Sequence, residues 1–104
     1  MTLAQWEFFE RQGLMRLRWE PDNEMYDDSY IDTWDVSLEE RNNIRIQLWR
    51  DIERDGVWGL IGEYRVSTDS PWVQVDSVWG LIGQDDGGYR DDIRRTTYKE
   101  FAQL

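Results

Sequence analysis

The chain has 104 residues, 22 carboxylates against 12 Arg and Lys, a formal net charge of −10, and neither Cys nor His. Without Cys there are no disulfides, thiolate zinc sites or cysteine nucleophiles, and without His the commonest general base and metal ligand are missing. The length and the aromatic content, seven Trp, five Tyr and three Phe, point to a single folded domain over residues 1–104 with a core of its own.

A charge this negative repels phosphate backbones and anionic lipid heads, so the expected partner is a basic protein, not nucleic acid or a membrane surface. The opening MTLAQWEFFERQG lacks a basic stretch followed by an apolar run, so no signal peptide is expected. No segment approaches the roughly 18 apolar residues of a membrane span. The expected location is the cytoplasm.

In chain order, Thr2 to Gln12 reads as a short helix, with Thr2 and Gln5 as its capping pair, Leu3 and Trp6 on one face, and Gly13 as its stop. Leu14 to Trp19 alternates, Met15, Leu17 and Trp19 against Arg16 and Arg18, which is a strand pattern. Residues 20–35, EPDNEMYDDSYIDTWD, hold seven acids and no base around Met25, Tyr26, Tyr30, Ile31 and Trp34. They follow neither helical nor strand periodicity and read as an irregular acidic segment.

Ser37 and Glu40 form a capping box for a helix running to Asp55 and stopped by Gly56. Leu38, Ile44, Leu48, Trp49 and Ile52 share an arc of its surface wide enough to face a core, with Ile46 outside it. The hexapeptide Val57-Trp58-Gly59-Leu60-Ile61-Gly62 recurs as Val78-Trp79-Gly80-Leu81-Ile82-Gly83. Two copies are too few for a solenoid, so they mark two strands, 57–66 and 72–83, joined around Ser67 to Pro71. The expectation is that the copies sit at opposite ends of this hairpin, that Val73, Val75, Trp79 and Leu81 face inward, and that Gln74 and Asp76 face water. Tyr89 to Gln103 reads as a closing helix with Tyr89, Ile93, Phe101 and Leu104 on one side, Asp91 and Asp92 in its first turn, and Arg94, Arg95 and Lys99 further along.

The predicted fold is therefore α+β in the order α-β-α-β-β-α, a small antiparallel sheet of about three strands with helices packed on it so that every apolar stripe is buried. At least half of the tryptophans are expected in the core.

The acidic segment is the leading functional candidate. If extended, residues two apart repeat every 6.6 Å or so, near the spacing of successive phosphates along a DNA strand, given about 3.4 Å of axial rise per nucleotide plus the helical path. Glu20, Asp22, Glu24, Asp27, Asp28, Asp32 and Asp35 would then offer phosphate-like charge to Arg and Lys clusters, with Tyr26, Tyr30 and Trp34 filling apolar gaps on the partner. An EF-hand loop from Asp22 fails, since its frame meets Tyr26, Asp27 and Thr33 where ligand, Gly and Glu are needed. Asp85, Asp86, Asp91 and Asp92 read as turn and helix-start acids, so neither metal nor cofactor is expected.

No GxSxG, Walker loop, dinucleotide fingerprint or HExxH is present, and the chain is read as a non-enzyme. A carbohydrate-binding or hydrolytic domain using Trp58, Trp72 or Trp79 is a competing reading. Ile46 and the remaining tryptophans would permit a homodimer without requiring one.

The stretches Trp19 to Asp22 and Val75 to Gly83 resemble small proteins of bacteriophages and mobile elements, some with a cysteine pair in the hairpin turn that this chain lacks. In size, acidity and aromatic content the chain also resembles phage-encoded inhibitors of host defence, the DNA-mimicking anti-restriction and anti-CRISPR proteins. That likeness implies a mode of action, occupation of a basic nucleic-acid groove in a host defence complex, and assigns no residue. The other reading is a structural or adaptor protein of a phage or mobile element without DNA mimicry.

Overall fold

A computed structural model describes all residues from 1 to 104. Thr2 opens helix α1 (Leu3–Arg11) with a reciprocal cap: its Oγ1 accepts from the Gln5 backbone N–H at 3.3 Å, and Gln5 Oε1 accepts from the Thr2 N–H at 2.7 Å. Gly13, at φ +73, turns the chain into strand β1 (Met15–Pro21). After a short 3-10 helix at Ser29–Thr33 comes helix α2 (Leu38–Asp55), then strands β2 (Val57–Tyr64) and β3 (Val73–Ile82) and helix α3 (Arg90–Ala102). This is the α-β-α-β-β-α order that the periodicities predict, and the sheet is antiparallel in the order β1-β2-β3. No helix is long and apolar enough to cross a membrane.

Helices α1 and α3 cover one face of the sheet. They meet through Phe9 and Phe101, whose ring centroids lie 4.9 Å apart, and Phe101 in turn meets Tyr64 of β2. Trp6, Met15, Leu60, Ile61 and Ile93 are the buried apolar residues of this lobe. Gly62 lets α3 approach: a Cβ there would collide with Thr97 Oγ1 and Ile93 Cγ2. Side chains, not a helix, close the other face. Arg16 and Arg18 converge on Glu63, Trp72 stacks with the guanidinium groups of Arg16 (4.0 Å) and Arg65 (4.3 Å), and the Trp79 indole lies over Gly59.

Three expectations are corrected. The two VWGLIG copies lie side by side: Val57 pairs with Ile82, Trp58 with Leu81 and Leu60 with Val78. In an antiparallel hairpin the start of one strand faces the end of the other, so the copies share one end, and the Trp of the second fills the gap over the Gly of the first.

Strict alternation in β3 also fails. The register shifts twice, between Trp58 and Leu60 and between Gly62 and Glu63, so Val75 and the Trp79-Gly80 pair are bulged and the parity of the strand is lost. Trp79 is consequently turned to the face opposite Leu81 and is 43% exposed, while Val73, paired with Tyr64 at the start of the edge strand, is 44% exposed. Gly80, at φ +76, takes the conformation that the second bulge requires.

Finally, α2 does not pack on the sheet, and none of its residues is buried. It meets the sheet at its last turn, where Trp58 Nε1 donates to the Asp55 carbonyl (2.8 Å) and the Gly83 N–H to that of Gly56 (2.9 Å). From there its 18 residues, about 27 Å of helix, help to stretch the molecule to 54 × 23 × 18 Å. Of the seven tryptophans only Trp6 is buried: Trp34 and Trp49 belong to this projecting arm, Trp79 is exposed at its bulge, and Trp19, Trp58 and Trp72 are half-covered.

Candidate interaction surface

Charge is divided unequally between the two parts. Between Glu20 and Asp55 twelve carboxylates stand against four arginines, a net of −8, while the rest of the chain has ten against eight. The arm of acidic segment and α2 therefore carries most of the charge on a minority of the residues.

The segment is seated on α2 by a row of side chains one helical turn apart, a spacing that places them on a common face. Arg41 Nη2 donates to the Trp34 carbonyl (3.0 Å), Arg45 Nε to Asp28 Oδ2 (3.3 Å), and Trp49 Nε1 to the same Asp28 oxygen (2.9 Å). Arg45 also bonds Asp32, and that hydrogen bond leads the causes that raise its pKa. Ile31, only 1% exposed, is the one buried apolar residue of the arm.

Around these bonds the aromatic rings form a chain: Trp49 meets Tyr26 edge to face at 6.1 Å, Tyr26 meets Tyr30 at 6.3 Å, and Tyr30 meets Trp34 at 5.8 Å. The Tyr26 and Tyr30 hydroxyls share a hydrogen bond of 2.7 Å. Burial first, and that bond second, push the Tyr26 phenol up to about 12.

The predicted residues fall into two groups. Glu20 lies in β1 opposite Gly59 and accepts from Arg18, while Asp22 accepts from the N–H groups of Gly80 (3.0 Å) and Glu24 (3.1 Å), tying the segment to the bulge of β3. Asp28 and Asp32 are held by Arg45, and Tyr26 is half-buried. Glu24, Asp27 and Asp35 are exposed and form no ion pair, and Tyr30 and Trp34 are 42% and 43% exposed. Asp27 accepts from the Ser29 N–H at 2.9 Å, which holds its carboxyl below the usual range.

The extended run with phosphate-like spacing is not found. Strand geometry ends at Pro21, and the 3-10 helix then advances about 2 Å per residue because Asp28 and Asp32 must both reach Arg45.

Two sets of residues were missed at the level of sequence. Glu39 and Glu40 add exposed charge at the start of α2, where Ser37 Oγ accepts from the Glu40 N–H and the dipole favours acids. Arg41, Arg45 and Trp49 organise the surface, and their i, i+4, i+8 spacing was the available signal. Where the arm leaves the sheet, Glu20, Pro21, Asp22, Asn23, Glu24 and Trp79 line a cleft of about 410 Å³. Comparison of the chain with protein-family models, curated proteins and solved structures finds no match.

Proposed function

We propose that the protein is an interaction inhibitor whose acidic arm occupies the basic nucleic-acid-binding groove of another protein, in the manner of DNA-mimicking inhibitors of host defence. The observation that carries this reading is the concentration of −8 of the −10 net charge on an arm whose segment is tied to α2 by Arg41, Arg45 and Trp49. An ordered charged surface loses less conformational entropy on binding than a mobile acidic tail does. Glu24, Asp27, Asp35, Glu39 and Glu40 meet the partner, with Trp34 and Tyr30 as its aromatic contacts. Asp28 and Asp32 hold the surface together through Arg45, Asp28 from a half-buried position and Asp32 while 59% exposed. A guanidinium of the partner fits the cleft between Glu20, Glu24 and the Trp79 indole.

The test is capture of partner proteins on the immobilised chain at about 0.05 M and about 0.5 M salt, a range over which exposed charge pairs are progressively screened. The expected captured protein is a nucleic-acid binder, released by high salt, displaced by duplex DNA, and lost with the triple variant Glu24→Gln, Asp27→Asn, Asp35→Asn. Capture that ignores both salt and DNA would overturn the reading in favour of an adaptor that binds through apolar contacts.

A further inference from the structure

On the face of the molecule formed by α1 and α3, the charge pattern is reversed. Met1, Leu3, Asp91, Arg94 and Arg95 enclose a cleft of about 240 Å³, and Met1 and Arg95 also border a second of about 420 Å³ lined by Tyr98, Lys99 and Ala102. Three of the chain's twelve bases thus gather on one groove, with Asp91 as the single carboxylate on its walls.

Arg94 is the notable member. Its side chain is only 16% exposed, yet its sole ionic partner is Asp91 at 3.6 Å, beyond hydrogen-bonding distance, and its buried Nε has no acceptor. The Trp6 ring at 5.8 Å contributes a cation-π contact but accepts no strong hydrogen bond. The enclosed Nε–H is a cost to the fold that no ion in the cleft can relieve, whereas the Nη groups are not enclosed and bring the charge of the guanidinium to the cleft that Arg94 lines. Arg95, 67% exposed with a weak contact to Asp92 at 3.4 Å, and Lys99, one turn further along, are free to turn toward the same anion.

We infer that this groove binds an oxyanion, a carboxylate or phosphate carried on a short apolar group, with Arg94 and Arg95 on the oxygens and Met1, Leu3, Tyr98 and Ala102 around the apolar part. The site is separate from the acidic arm and has the opposite charge preference, so it stands or falls independently of the arm's role.

The experiment follows thermal unfolding and the Arg side-chain Nε–H resonances of the full chain during titration with acetate, hexanoate, inorganic phosphate and hexyl phosphate at constant ionic strength. The expected result is a saturable shift of the Arg94 Nε–H, with hexanoate or a phosphate monoester of similar chain length binding at least about tenfold tighter than acetate or inorganic phosphate. The exposed variant Arg95→Gln keeps the fold and weakens binding about tenfold, whereas Arg50→Gln, on the arm, leaves it unchanged. Absence of a saturable Arg94 shift with any of the anions, or equal shifts in Arg95→Gln and the parent, overturns the inference. Hexanoate and the phosphate monoester distinguish the two sources of the oxyanion.

Discussion

Arg45 meets Asp28 at 3.3 Å across 17 positions of chain, and the same guanidinium reaches Asp32. Two carboxylates that would otherwise repel each other are thereby held on one cation. Arg45→Ala is expected to release the acidic segment without unfolding the sheet lobe. Amide hydrogen exchange between Tyr26 and Trp34 should accelerate about tenfold or more, while amides of β2 keep their protection. Uniform acceleration across the sheet would show that the arm and the lobe unfold as one unit.

The same clamp separates two kinds of charge removal. Asp28→Asn with Asp32→Asn should weaken partner binding together with loss of arm protection. Glu24→Gln, Asp27→Asn and Asp35→Asn should weaken it with protection largely intact, because those side chains form no ion pair and an amide oxygen at position 27 still accepts from the Ser29 N–H. Binding and exchange measured on both variants check this, and loss of protection in the second would contradict the division.

Tyr26 gives the arm a limit at alkaline pH. Its phenol is raised from 10.0 to about 12, so the folded arm prefers the neutral hydroxyl. The associated stability is complete below the unfolded value of 10.0 and is lost as pH rises through about 12. Asp27 has the opposite sign: its carboxyl is lowered from 3.8, so its contribution is present above that value and is lost as pH falls through the depressed one. Phenolate absorbance should therefore contain a component near 12 that disappears in Tyr26→Phe. A parent-minus-variant difference that titrates near 10 would remove the basis of this limit.

The elements were legible because their signals are local. Thr2 and Gln5 marked the start of α1, the alternation from Met15 to Trp19 marked β1, and Gly56 marked the end of α2. What failed required knowledge of pairing. The bulges that turn Trp79 to the face opposite Leu81 depend on β3 having two more residues than the β2 stretch it faces, which no period within β3 can show. The apolar stripe of α2 does not face a core: no residue of the helix is buried, and Leu38 and Trp49 of the stripe are 69% and 39% exposed. In the acidic segment, composition identified the charge. The division between carboxylates held by Arg45 and those left without an ion pair depends on contacts between positions 28, 32 and 45, invisible to a reading that takes each stretch alone.

Gly62 and Gly59 both lie under a side chain, with unequal consequences. A methyl at Gly62 would strike Thr97 Oγ1, whose own hydrogen is committed to the Ile93 carbonyl at 2.7 Å, and Ile93 Cγ2 in the core. Gly62→Ala is expected to cost about 1–3 kcal/mol in denaturant unfolding, the range of overpacked cores. Gly59→Ala would strike only the Trp79 ring, which is 43% exposed and can swing outward. Its cost should be smaller, accompanied by a shift of tryptophan emission to longer wavelength. Equal costs at the two sites would mean that the Trp79 face is as tightly packed as the helical one.

Glu63 is the remaining polar keystone. Its side chain is 7% exposed, and one oxygen, Oε1, accepts from both Arg16 Nε (3.0 Å) and Arg18 Nε (2.6 Å). Arg16 in turn stacks on Trp72, so the carboxylate fixes the cation that fixes the indole. Glu63→Gln keeps the shape but removes the charge from two partly covered guanidinium groups, and should lower stability by about 1–3 kcal/mol. Combined with Arg18→Met, the loss should be less than additive, with a coupling of about 1 kcal/mol. Because the acceptor is buried, this loss should change little between low and high salt, in contrast to binding by the exposed arm. Urea unfolding of the two single variants and the double at both ionic strengths measures each quantity, and additive losses would show that Arg18 and Glu63 act separately despite their contact.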